Sequence, residues 1–118
     1  MPVDESLIEA LGDEIFAALG TRQTLKPITE RYEEFTVDDA YRVSLRILAH
    51  RQARGETLVG KKIGVTSFAV QNMLGVDQPD FGFLLDRMIY QDEMPISKEL
   101  IQPRAEGELA FILKEGLS

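Results

Sequence analysis

The stretch PRAEGELAFIL, Pro103 to Leu113, sets two carboxylates, Glu106 and Glu108, two residues apart at the head of an apolar run. At that spacing both side chains leave a β-strand on one face. Two residues of strand rise hold them roughly 7 Å apart, where their repulsion at an effective dielectric of about 20 is on the order of 2 kcal/mol. Water or a cation must relieve it. Ala110 and Ile112 continue the carboxylate face while Leu109, Phe111 and Leu113 line the other, so the expected strand becomes buried on both sides just past the pair. A hard ion such as Mg²⁺ or Mn²⁺, held by one or two carboxylates with waters and substrate oxygens, suits that position. A solvated strand end with no ligand is the alternative, because a Glu-x-Glu pair is weakly diagnostic.

Outward from this segment, composition narrows the function classes. The 118 residues fit one domain with a modest core. Thirteen basic against twenty acidic residues give a formal net charge of −7, with no Lys/Arg stripe, so no nucleic-acid partner is expected. The absence of cysteine excludes disulfides, thiolate metal sites and a cysteine nucleophile, and fits a reducing cytoplasm. The opening MPVDESLIEA lacks the basic flank and apolar run of a signal peptide, and no uncharged stretch reaches the roughly 20 residues of a membrane span. A soluble, cytoplasmic protein with no membrane partner is expected.

The first half of the chain has helical spacing. Leu7, Ile8, Leu11, Ile15 and Leu19 recur at three- and four-residue steps, predicting an amphipathic helix from Asp4, its N-cap, to about Ala18, with Gly20 as its stop. Thr36 followed by Asp39 reads as a capping box opening a second helix that runs to Arg54, with Gly55 ending it. Its apolar stripe is read as Ala40, Tyr41, Leu45, Leu48 and Ala49. His50, the lone histidine, lies among Arg46, Arg51 and Arg54 and is assigned a surface role near the helix C-terminus.

Past Gly55 the pattern turns β-like. Leu58 and Val59 lead into GKKIGVTS, a short strand punctuated by Gly60 and Gly64. Thr66 or Ser67 caps a short helix through Leu74, with Ala69, Val70, Met73 and Leu74 as its buried positions and Gly75 closing it. QPDFGFL reads as a loop with turn residues Pro79, Asp80 and Gly82, anchored by Phe81 and Phe83. Met88 to Tyr90 reads as a short strand, and a polar turn follows Pro95 and Ile96. No internal repeat or low-complexity linker is present.

The chemically suggestive groups thus fall in the second half: Lys61 with Lys62, Asp80, and the glutamate pair. If the strand alternates, Ile63 and Val65 share one face, and Lys62 shares the other with Gly64, which leaves room beside its ammonium for a ligand. A solvated lysine and a turn-fixing aspartate are the plain alternatives.

Three runs together carry a resemblance: DESLIEALGDEIFAAL (residues 4–19), GKKIGVTSFAVQNMLGVDQPDFGFL (60–84) and MPISKELIQPRAEGELAFILK (94–114). The chain closely resembles the 2-hydroxypenta-2,4-dienoate (2-oxopent-4-enoate) hydratases of the fumarylacetoacetate hydrolase superfamily, which act in the meta-cleavage degradation of aromatic compounds. The resemblance spans essentially the whole chain but only about the first half of such an enzyme. It implies an α+β fold: an amino-terminal helical region over 1–56, then over 57–118 the first strands of a mixed β-roll, incomplete here. It implies a divalent metal, Mg²⁺ or Mn²⁺, on Glu106 and Glu108, with a third acidic ligand that has no position in this sequence. By the same resemblance Lys62 and Asp80 are the catalytic lysine and acid/base aspartate, and Lys62, Gly64 and Thr66 bind substrate. Homo-oligomers, and association with a 4-oxalocrotonate decarboxylase, are further implications. That decarboxylase activity is the nearest enzymatic competitor; an inactive fragment or assembly module is the alternative of a different class.

Overall fold

The computed structural model describes residues 3–96 and 99–117, so the polar turn expected after Ile96 falls partly on Ser97 and Lys98, outside the described residues. The order is α1 (Glu5–Thr21), α2 (Ile28–Arg31), α3 (Val37–Ala53), β1 (Leu58–Gly64), α4 (Phe68–Leu74), β2 (Asp80–Leu85) and a 3₁₀ turn (Asp86–Met88). The architecture is α+β.

Asp4 caps α1 as expected, its side chain accepting from the Ser6 N–H at 3.4 Å. Gly20 does not stop the helix. Arg22 does, taking a left-handed conformation (φ 57°) and donating its N–H to the Ala18 and Leu19 carbonyls. At the start of α3 the capping box is complete: the Asp39 N–H donates to Thr36 Oγ1 at 3.2 Å, and the Thr36 N–H donates to Asp39 Oδ2 at 3.1 Å. That cap fixes the helix phase, and α3 turns Val43, not the expected Ala40, Leu45 and Ala49, toward α1. Leu45 is 52% exposed. Ile8 and Leu11 of α1 close on Val43, with Val3, Leu7, Ile15, Ile28, Tyr32, Phe35 and Ile47 around them. Each fully buried aliphatic side chain there is worth about 2 kcal/mol.

β1 and β2 form a two-stranded antiparallel sheet, with Gly60 opposite Leu84, Lys62 opposite Gly82 and Gly64 opposite Asp80. The register slips by one residue at Val59, between the Leu58 and Gly60 pairings. DFGFLL is therefore a strand where a loop is expected; Phe81 and Phe83 are two apart and satisfy the strand period. Asp86 closes the hairpin's far end, its carboxylate accepting from the Thr57 N–H and its own N–H donating to the Thr57 carbonyl. The expected strand at Met88–Tyr90 is replaced by the 3₁₀ turn and irregular chain. Tyr41 of α3 meets Phe81 with ring centroids 6.1 Å apart, linking helices and sheet. Among the described residues no helix is long and apolar enough to cross a membrane.

Candidate functional site

In an antiparallel pair, opposed residues project to the same side and successive residues to opposite sides. One face of the hairpin thus carries Gly60, Lys62, Gly64, Asp80, Gly82 and Leu84; the other carries Lys61, Ile63, Phe81 and Phe83. On the first face, three glycines leave bare backbone around one lysine and one aspartate. The Lys62 stem lies over Gly82, where an added Cβ would stand 3.1 Å from Lys62 Cγ and 3.4 Å from Cδ. At Gly64 an added Cβ would collide with Asp80 Oδ1 and sit 3.2 Å from Lys62 Nζ. Ammonium and carboxylate therefore flank one α-carbon. The structure brings Lys62, Gly64 and Asp80 together, and Thr66 follows two residues on.

Between Gly64 and Thr66 the backbone is strained. Val65 has φ 54°, and a β-branched residue in the left-handed region costs about 1–2 kcal/mol. The amide of Gln71 in α4 donates to the Val65 carbonyl at 3.0 Å, and Gln71 is 6% exposed. Ser67 rather than Thr66 caps α4, accepting from the Val70 N–H at 3.2 Å. Sequence reasoning misses both partners: no propensity rule assigns positive φ to valine, and the expected buried positions of α4 were its apolar ones. Met73 and Leu74 are instead 75% and 56% exposed, because α4 is anchored through Gln71.

Glu106 and Glu108 lie outside the two-stranded sheet. Pro103 to Leu113 forms neither helix nor strand, and both glutamates are exposed. The expected carboxylate strand is thus not formed: the described sheet has only β1 and β2, no third strand pairs with this segment, and Ile112 is fully exposed. Arg22 Nε donates to the Leu100 carbonyl at 3.1 Å and ties the chain just before the segment to the end of α1. The donor chemistry of two carboxylates fits a hard divalent cation. Among the described residues no group of three or more His, Cys, Asp and Glu side chains surrounds a common point.

A hollow of about 460 Å³ is lined by Tyr41, Lys61, Lys62, Ile63, Phe81, Gly82 and Phe83. The remaining titratable clusters serve the scaffold. His50 stacks on Phe16 (4.7 Å, 12°) and its Nε2 is 2.5 Å from Asp13 Oδ1. Hydrogen bonds from Arg46 and then His50 hold the Asp13 carboxyl at about 2, well below its usual range. Glu56, whose side chain is wholly buried, accepts two bonds from Arg51 at 2.6 and 3.0 Å and one from Arg54 at 2.8 Å. Those arginines, Arg51 foremost, lower its pKa to about 2.

No protein-family model matches the chain. A 2-hydroxypent-2,4-dienoate hydratase from Pseudomonas putida is 59% identical over 117 residues, covering 98% of this chain and 53% of the relative. A 2-hydroxyhexa-2,4-dienoate hydratase from Comamonas testosteroni is 53% identical over 117 residues, covering 97% of this chain and 44% of the relative. Among solved structures, a 4-oxalocrotonate decarboxylase from Pseudomonas putida G7, complexed with magnesium and adipate, matches with TM-score 0.69 and 34% identity. That match covers 73% of this chain and 33% of the decarboxylase. The chain spans about half the length of the curated relatives it matches. This similarity, which runs through nearly all of the chain's residues, is to the 2-hydroxypentadienoate hydratases.

Proposed function

We propose that this chain is the amino-terminal part of a hydratase that adds water to 2-hydroxypenta-2,4-dienoate, giving 4-hydroxy-2-oxopentanoate in the breakdown of aromatic compounds. The observation that carries the reading is the convergence of the Lys62 ammonium and the Asp80 carboxylate on Gly64, in a chain 59% identical to such a hydratase. The hairpin is read as the start of a mixed β-roll of the fumarylacetoacetate hydrolase type, completed by further chain.

Each role follows from residue chemistry. The substrate is an anionic dienol: its carboxylate and enol oxygen need a cation, and its carbon skeleton needs protons moved. Lys62 supplies the fixed charge, binding the substrate carboxylate or the enolate oxygen as negative charge develops there. Asp80, across the strand pair, takes and returns protons. The enol proton leaves oxygen and a proton arrives at the terminal carbon, which conjugates the remaining double bond with the new ketone. Water then gives its hydroxyl to the β-carbon and its proton to the α-carbon, with Asp80 as the acid/base group. The backbone of Gly64 and Thr66 lines the space between the two side chains and orients substrate. Glu106 and Glu108 would hold Mg²⁺ or Mn²⁺, which supplies Lewis-acid polarisation of the oxo-acid when bound.

The test is a full-length enzyme containing this chain, given the dienoate with Mg²⁺. Expected is loss of the conjugated dienoate absorbance with formation of 4-hydroxy-2-oxopentanoate, reduced at least about 100-fold in Lys62→Met and Asp80→Asn. Carbon dioxide release from 4-oxalocrotonate, without hydration of the dienoate, would reassign the chain to the decarboxylase reaction.

A further inference from the structure

α4 is oriented contrary to its composition. Phe68, Met73 and Leu74 are 84%, 75% and 56% exposed, and the helix's one buried side chain is the amide of Gln71. That amide bonds the carbonyl of Val65, a β-branched residue held at φ 54° directly after β1. Strain of this kind persists only where surrounding contacts impose it. A hydrogen bond from a buried donor holds that carbonyl, and the donor would be left unsatisfied if Val65 relaxed. Gly64, on one side of Val65, separates the Lys62 ammonium from the Asp80 carboxylate. On the other side Thr66 leads into Ser67, whose side chain caps α4. A return of Val65 to negative φ would rotate the peptide planes on both sides of it.

We propose that Gln71 is a positioning residue: its bond to Val65 locks the left-handed turn that aims the Gly64 to Thr66 backbone at the space between Lys62 and Asp80. The inference deepens the hydratase reading and rests on it for the identity of the substrate. The geometric part, that Gln71 imposes the Val65 conformation, does not depend on the reaction.

Glycine adopts positive φ without a side-chain penalty, so Val65→Gly removes the need for the lock. The experiment is a double-mutant cycle in the full-length enzyme: wild type, Gln71→Ala, Val65→Gly and the double variant, read by kcat and KM on the dienoate and by urea midpoint. Gln71→Ala is expected to lower kcat about tenfold, and the double variant to stay within about twofold of Val65→Gly alone. The loss of urea midpoint caused by Gln71→Ala is expected to be smaller with glycine at position 65. Wild-type kcat in Gln71→Ala, or a double variant slower than Val65→Gly by the same factor that Gln71→Ala costs the wild type, would overturn the proposal. Equal midpoint losses in the two backgrounds would do the same. Should Gln71→Ala fail to fold, a folded double variant supports the lock and an unfolded one refutes it. A wild-type enzyme inactive on the dienoate defeats the hydratase reading, and the midpoint cycle still decides the lock.

Discussion

Asp80 Oδ1 occupies the space that any side chain at Gly64 would need. Neither Gly64 nor Gly82 has positive φ, so alanine is compatible with the backbone at both, and the effect of substitution falls on the side chains above them. Gly64→Ala drives a methyl into the Asp80 carboxylate, which must rotate away from its place beside Lys62. Gly82→Ala presses on the middle of the Lys62 stem, a flexible chain that can move by a few tenths of an ångström. We expect Gly64→Ala to lower kcat by about 100-fold and Gly82→Ala by about tenfold or less, following what small misplacements of reacting groups cost. Steady-state kinetics of the two variants, with circular dichroism to verify that both fold, check the order. Equal or reversed losses would show that Asp80 is not held against Gly64 during the reaction.

The glutamates invite a different experiment, because both are exposed and outside the sheet. Replacing an exposed carboxylate away from special contacts usually changes stability by under about 0.5 kcal/mol. Glu106→Gln and Glu108→Gln are therefore expected to leave the unfolding midpoint of the metal-free full-length protein unchanged. Each should weaken Mg²⁺ or Mn²⁺ binding by at least about tenfold, since a hard cation loses one of its few charged oxygens. Calorimetric titration of each variant with the metal measures this directly. Wild-type affinity in both would remove the metal from these residues.

What the sequence disclosed, and what it hid, divides along the range of the forces involved. Local signals read true: Asp4 and the Thr36–Asp39 box capped their helices, Gly75 closed α4, and Leu58 to Gly64 became a strand. Each depends on hydrogen bonds within a few residues. Facing was less legible. Val43 took the core position because α1 approaches α3 at Gly12, a contact between segments about thirty residues apart. PDFG read as a loop because Pro, Asp and Gly favour turns, yet pairing with β1 outweighed that preference. The apolar run after Glu108 has strand spacing, and spacing makes a strand only where a neighbour takes its hydrogen bonds. The alternation that puts Lys62 and Gly64 on one face was readable; that Asp80 shares it followed only from the hairpin register.

The tight contact of α1 with α3 at Gly12 yields a stability prediction. A Cβ at Gly12 would overlap Arg46 Cγ and lie 2.6 Å from Arg46 Cβ, an atom that moves only with its helix. Alanine gains about 1 kcal/mol over glycine inside a helix, whereas overpacking a close contact costs about 1–3 kcal/mol. The clash should win, because relief requires α3 to shift away from Ile8 and Leu11 and to disturb the Arg46–Asp13 pair at 2.8 Å. Gly12→Ala is expected to lower the unfolding free energy by about 1–2 kcal/mol in urea titration. An increase would mean that helix propensity decides and that the interface has slack.

Glu56 ties the end of α3 to the start of β1, and it fixes how stability depends on pH. Its side chain is fully buried while Arg51 and Arg54 hold its carboxylate ionised, with a folded pKa of about 2 against an ordinary 4.5. A depressed pKa means that the unfolded chain binds the proton more readily. The contribution of Glu56 is therefore fully present above about pH 5, declines as pH falls through 4.5, and is gone below about 2. The shift corresponds to roughly 3 kcal/mol at neutral pH. Glu56→Gln keeps the shape and removes the charge, leaving two arginines against a neutral amide. It should lower stability by about that amount at pH 7 and by progressively less toward pH 3, as the unfolded wild-type chain takes up the proton. Urea titrations of both proteins across that range measure the difference. A gap that stays constant with pH would show that Glu56 contributes by packing and neutral hydrogen bonding, and that the arginine pair does not depend on its charge.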